Sequence, residues 1–199
     1  MEKENRFYDT KTFYRFVEDF LINKGQSKPK KRVKLSKDFV ERIMLAVTQV
    51  NGCPYCSYFH AKEALRAGMS NEEVKKLLSG EFGDVPDDQL AALLFAEHYA
   101  ETAGNFDEEA YKKLVETYGE DYTYSIMRAI RAIMVGNTHG NAFSALVNRL
   151  KGKPYKNSNL KDELGIIFGI FVFVPAALIN QLFNRKVNHA ANAKNWVVK

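Results

Sequence analysis

Cysteine is almost missing from this chain, with two in 199 residues, Cys53 and Cys56. A secreted disulfide scaffold shows several scattered pairs, so that class does not fit. Thiols at C-x-x-C spacing close a loop too small to restrain the unfolded chain, which turns the pair toward chemistry or metal binding. Histidine is scarce as well: His60, His98, His139 and His189 are the only four, and none forms a paired motif. A structural zinc site, which needs four ligands, is therefore poorly supplied. Ser57 follows Cys56 where haem attachment needs a histidine. Strand alternation and hairpin signals are missing, so the chain reads as all-α. No strand–helix pattern precedes Cys53, which argues against thioredoxin-like chemistry. No flavin or nucleotide fingerprint is present, and no bound cofactor is expected. The charged opening MEKENRFYDTKTFYRF has no apolar signal-peptide core, which gives a cytoplasmic expectation for the catalytic part.

What is present is apolar and aromatic. Apolar residues make up 46% of the chain, with 14 Phe and 10 Tyr. That composition and length suit one domain with a sizeable core, with room for an appendage. The net charge of +5 is unevenly spread: residues 28–37 (KPKKRVKLSK) hold six cations and no acid. Such a run is either a patch for an anionic partner or a solvated loop. No nucleic-acid fold signature accompanies it, so no nucleic-acid partner is expected.

Helical spacing organises the rest. Phe13, Phe16, Val17, Phe20 and Leu21 form one stripe, with Gly25 as its stop. Ser36 or Asp38 caps a second helix bearing Phe39, Val40, Ile43, Met44, Val47 and Val50. Asn51-Gly52 breaks it, and Pro54 suits the first turn of the next, placing Cys53 at the cap and Cys56 inside that turn. Ser70 and Glu73 form a capping box. A helix over 87–103 has Leu90, Leu93, Leu94 and Ala96 on its apolar side, and another stops at Gly119. Residues 121–150 read as helical, interrupted around Gly136-Asn137. The polar knot GNTHGN there either lines a cavity or caps the break. Two helical regions follow the loop KGKPYKNSNL.

The first of these, 164–183 (LGIIFGIFVFVPAALINQLF), holds no charged residue over 20 positions. It is long enough to cross a bilayer. Its two readings are membrane association and burial in an oligomer interface or a groove. The domain reading is an amphipathic helix and basic loop over 1–35, a catalytic domain over 36–151, and a linker, hydrophobic helix and tail over 152–199.

Four residues carry chemistry: Glu41, Cys53, Cys56 and His60. A helix N-terminus favours thiolate over thiol. A thiolate attacks peroxides and disulfides, and a second thiol resolves a sulfenic acid to a disulfide. His60 lies four residues after Cys56 on the same helix face and can carry a proton. Glu41 has mostly apolar neighbours, so its carboxylate needs a partner, and a hairpin at Asn51-Gly52 brings it toward His60.

At these residues a resemblance becomes specific. Glu41, eleven residues, Cys53-Pro54-Tyr55-Cys56, three residues and His60 resemble the signature of the alkylhydroperoxidase D-like proteins of the carboxymuconolactone decarboxylase superfamily. The likeness covers about residues 36–150 and is strongest over 41–80. It implies an all-helical alkylhydroperoxidase D-like fold, here with an extra C-terminal hydrophobic helix, assembled as trimers or hexamers. It implies a thiol-dependent peroxidase or disulfide reductase, with Cys56 peroxidatic, Cys53 resolving, and Glu41 and His60 relaying the proton. Hydroperoxide is the implied substrate, and an external dithiol, lipoyl or thioredoxin-like, the implied electron donor. Some members carry a second histidine between the cysteines, where this chain has Tyr55. The decarboxylase branch generally lacks the cysteine pair. A redox sensor and a non-enzymatic membrane-associated scaffold are the alternatives.

Overall fold

The structure is a computed structural model that describes residues 5–22, 29–31 and 33–191, with side chains as far as 181. Among them are eight helices and no strand. The helices are α1 (Thr10–Ile22), α2 (Lys37–Asn51), α3 (Pro54–Arg66), α4 (Asn71–Ser79), α5 (Asp87–Glu101), α6 (Glu108–Tyr118), α7 (Glu120–Leu150) and α8 (Leu160–Ala191). The all-α expectation holds. The Gly25 stop lies outside the described residues.

α2 is the central element, packed by α3, α4, α5 and α7. Its apolar stripe puts Phe39, Ile43, Ala46 and Val47 in the main core with Leu93, Ala96, Tyr99, Ile126 and Ile130. The one cation α2 buries, Arg42, is met by Asp38 at 2.5 Å, Glu73 at 2.7 Å and Gln89 at 3.0 Å. Burial of that charge is tolerated because Nε and Nη1 of the guanidinium meet two carboxylates and an amide oxygen, and the network ties α2 to α4 and α5. The capping box at α4 forms as expected, with the Glu73 amide donating to the Ser70 hydroxyl at 3.1 Å. On α5 the stripe is narrower than expected. Leu93 and Ala96 are buried, but Leu94 is 49% exposed, because it falls outside the arc of α5 that carries the buried pairs Ala92-Leu93, Phe95-Ala96 and Tyr99-Ala100.

Two further expectations are corrected. α7 runs unbroken from Glu120 to Leu150, so Gly136-Asn137 does not interrupt it. Its buried polar residues are partly met across the packing: the Thr48 hydroxyl donates to Asn137 Oδ1 at 3.1 Å, while Asn137 Nδ2 is buried without a hydrogen-bond partner among the described residues. Likewise, among the described residues a single helix follows the loop after α7, running through 164–183 to Ala191 with Pro175 inside it. A proline removes only one intrahelical bond, and the neighbours of a long apolar helix can hold it together.

A second, smaller core joins α1, α7 and α8 through Phe13, Val17, Ala142 and Ile166. Asp162 of α8 reaches across to cap α1, accepting from the Thr10 amide at 2.9 Å and its hydroxyl at 2.8 Å. A carboxylate there also suits the positive end of the α1 dipole.

Candidate active site

The chemistry-bearing residues sit on the α2–α3 hairpin. At the end of α2, Gly52 adopts φ 67° and returns its amide to the Thr48 carbonyl at 2.8 Å. That left-handed conformation is open to glycine without a Cβ penalty, and it reverses the chain. Cys53 then caps α3 in extended conformation, with Pro54 in the first turn. The Cys53 sulfur accepts from the Cys56 amide at 3.2 Å. A first-turn amide thus points at this sulfur, an arrangement that favours negative charge there when the thiol is reduced.

Cys53 and Cys56 are joined as a disulfide, with Cα atoms 5.3 Å apart. Their exposure differs: Cys53 is fully buried, whereas Cys56 is only partly covered. One turn beyond Cys56, His60 Nδ1 lies 2.8 Å from Glu41 Oε2. Both side chains are largely shielded, at 14% and 16% exposure. The carboxylate fixes the ring and the tautomer, leaving Nε2 as the nitrogen free to exchange a proton. Among the described residues no hydrogen bond joins His60 to either sulfur, so a proton passing between them travels through a bridging water or after a ring rotation.

The structure brings together all four residues singled out from the sequence, and adds others that the motif does not contain. α7 crosses behind the disulfide. The Gly136 carbonyl is 3.7 Å from the Cys56 sulfur. A Cβ on Gly140 would stand 2.6 Å from the Cys53 sulfur and 3.1 Å from that of Cys56, so this position has room for glycine alone. Next to it, Asn141 donates to the carbonyls of Arg6 and Asn51, both at 2.9 Å. The Tyr8 hydroxyl donates to Asn51 Oδ1 at 3.1 Å. The turn preceding the thiols is therefore held by α7 and by the segment before α1. The knot GNTHGN is the back wall of the site, and its two glycines were the available signal.

Tyr55 takes the position between the cysteines and packs on Phe143 with ring centroids 5.7 Å apart. Around it the rim is apolar and open, with Tyr58 75% and Phe59 56% exposed. His98 and His139 lie elsewhere: His98 Nε2 accepts from the Asp107 amide at 3.3 Å, and His139 packs near Phe13. Among the described residues no group of three His, Cys, Asp or Glu is placed to hold a metal.

The chain's sequence agrees with this geometry. Residues 22–101 match the model of the family described as Carboxymuconolactone decarboxylase family. No curated protein and no solved structure matches the chain. The matched segment contains Glu41, both cysteines and His60, and the surrounding helices have the fold that the resemblance implies. Over residues 22–101 the chain is thus similar to the carboxymuconolactone decarboxylase family.

Proposed function

We propose that the protein is a thiol-dependent peroxidase in which Cys56 attacks the hydroperoxide. The observation that carries this reading is the asymmetry of the pair, with one sulfur open toward solvent and the other buried behind it. In the reduced protein the Cys56 thiolate attacks the terminal peroxide oxygen. The O–O bond breaks, the alkoxide takes a proton relayed by His60 and Glu41, and Cys56 becomes a sulfenic acid. The Cys53 thiolate then attacks the Cys56 sulfur, the S–O bond breaks, and the hydroxide leaves as water with a proton. The peroxide has gained two electrons and the thiols have become the disulfide. An external dithiol, a lipoyl group or a thioredoxin-like protein, restores them by exchange.

The test is a stoichiometric reaction of the reduced chain with cumene hydroperoxide, followed by intact and peptide mass. Loss of two hydrogens located to a Cys53–Cys56 bridge is expected. Cys56→Ser abolishes the reaction, and Cys53→Ser reacts once and stops as a sulfenate. Thiols that stay reduced over many minutes refute the reading.

Disulfide exchange with a polypeptide is the second reading, favoured by the exposed ring of Phe59, one turn from Cys56 on the same helix face, and by the exposed Tyr55 beside it. A flat apolar rim suits a macromolecular dithiol better than a small peroxide. Comparing the rate of exchange with a lipoyl-bearing domain against that with cumene hydroperoxide separates the two. The trimer or hexamer implied by the resemblance is read directly by light scattering.

α8 contains a segment, Leu160–Gln181, long and apolar enough to cross a membrane, with 22% of it buried inside the chain. One face lies on α1, through Phe173 against Phe13 and Tyr14. The other presents Phe168, Phe171 and Val172 to the outside. The bare face favours attachment to a bilayer surface or to another copy over full insertion, because insertion would carry the charged face of α1 into lipid. Flotation with vesicles distinguishes these arrangements.

A further inference from the structure

A cleft of about 960 Å³ opens beside the relay pair. Residues 29–30 and 33–37, α2, the C-terminal half of α3 and α7 form its walls, and Glu41 is among the lining residues. Its size falls at the upper end of small-molecule sites, which run to about 1,000 Å³. Val33, Leu35, Val40 and Ala129 line it with apolar surface, while Lys34, Lys37 and Arg128 bring positive charge. The two carboxylates that reach it are already engaged: Glu41 with His60, and Glu63 with Arg66 at 2.5 Å. Lys34 and Lys37 make no ion pair among the described residues. The cleft thus holds cations without matching anions on a partly apolar wall, which is the complement of an amphipathic anion.

We propose that this cleft binds the carboxylate end of a long-chain organic anion, and that the hydroperoxide form of such an anion is the substrate class. The second clause rests on the peroxidase reading. Glu63 lines the cleft seven residues beyond Cys56 on α3, which is about 10 Å along the helix axis. A long chain leaving the cleft along α3 covers that distance to the sulfur. Between the two points stands the exposed ring of Phe59, one turn before Glu63 on the same helix face, an apolar step for the chain of such a molecule. Small anions and short peroxides span neither end.

The experiment uses the full chain, with linoleate and its methyl ester as unreactive probes, and linoleate hydroperoxide and cumene hydroperoxide as substrates. Linoleate is expected to bind more tightly than the ester by about tenfold or more, the worth of one charge-assisted contact. Added salt should narrow that gap. In Lys34→Ala/Lys37→Ala the preference for linoleate over the ester falls by about tenfold. The ratio of kcat/KM for linoleate hydroperoxide over cumene hydroperoxide falls in parallel. Equal binding of linoleate and ester, or a preference unchanged in the double variant and in Lys34→Glu, overturns the assignment. Capture by anionic vesicles alone, with no binding of monomeric linoleate, also overturns it. Failure of the peroxidase reading is seen separately, as wild-type chain that turns over neither hydroperoxide.

Discussion

Gly140→Ala sets two effects of opposite sign against each other. A glycine inside a helix costs about 1 kcal/mol relative to alanine, so propensity alone predicts that the substitution stabilises α7. The added methyl, however, would sit 2.6 Å from one sulfur and 3.1 Å from the other. Neither sulfur is the end of a long flexible side chain. Relief must come from moving the α3 N-terminus or from bowing α7, and overpacking of that kind costs about 1–3 kcal/mol. Gly136→Ala is the control on the same helix, because its Cβ would meet only Ile133 Cδ1 at 3.8 Å. Propensity cancels between the two variants, so the difference in unfolding free energy is the clash itself. That difference is about 1–3 kcal/mol, or a separation of melting temperatures of roughly 2–12 °C for a chain of this length. Gly136→Ala should equal or exceed the wild type, and Gly140→Ala should fall below Gly136→Ala. Thermal and urea denaturation of both, with the disulfide intact, measure it. The same variant should slow disulfide closure after peroxide. If Gly140→Ala is as stable as Gly136→Ala and closes at the wild-type rate, α7 does not press on the sulfurs and the site lacks the back wall described.

Two other substitutions probe the α8 contacts. Arg149 grips Glu163 with two bonds, at 2.8 and 2.6 Å, and Glu163 is 2% exposed. The Arg149 guanidinium holds the Glu163 carboxyl below its usual range. Its stabilisation is therefore complete above the ordinary carboxylate pKa and is lost as pH falls through the lowered value. Glu163→Gln should cost about 1–3 kcal/mol at neutral pH, and its melting temperature should converge on that of the wild type in acid. A gap that persists unchanged in acid would refute the pair as the source. Removing α8 by ending the chain at 159 should uncover Phe13, Val17 and Ala142 and cause aggregation. Serine at Phe168, Phe171 and Val172 should leave the fold intact by circular dichroism while lowering binding to vesicles or self-association. A soluble, folded truncation would show α8 to be an appendage.

The chemistry was readable in the sequence because it is local. Glu41, Cys53, Cys56 and His60 fall within one hairpin, and helical spacing fixes which of them share a face. Cap residues, Pro54 and Gly52 mark the turn by their own conformational limits. The walls were not readable in the same way, because α7 meets the thiols more than eighty residues downstream, a distance no local period encodes. Gly136-Asn137 looked like a break, since glycine in a helix lowers its propensity by an amount comparable with a weak stop signal. What the residue type encoded was close approach of two elements, which shares the same signature. Leu94 failed for a related reason: an all-apolar stretch does not say which of two adjacent leucines faces inward. The cleft was half legible. The run of cations at 28–37 was visible, but its apposition to Glu41 and Arg128 depends on α2 and α7 packing side by side.

The contacts divide the site into a part that does chemistry and a part that keeps it in place. The α2–α3 hairpin supplies the sulfurs and the relay pair. Asn141, Tyr8 and the backbone of Arg6 hold the Asn51 turn from outside, so the hairpin does not set its own geometry. A peptide carrying only residues 36–80 would hold every residue of the motif. It would still lack Gly140 behind the sulfurs and the clamp on the turn, and an isolated helix pair of that length is marginal in water. The motif alone is thus insufficient for the site. Conversely, the same clamp holds the turn just before the buried Cys53, whereas Cys56, the partly exposed member, lies beyond it on α3.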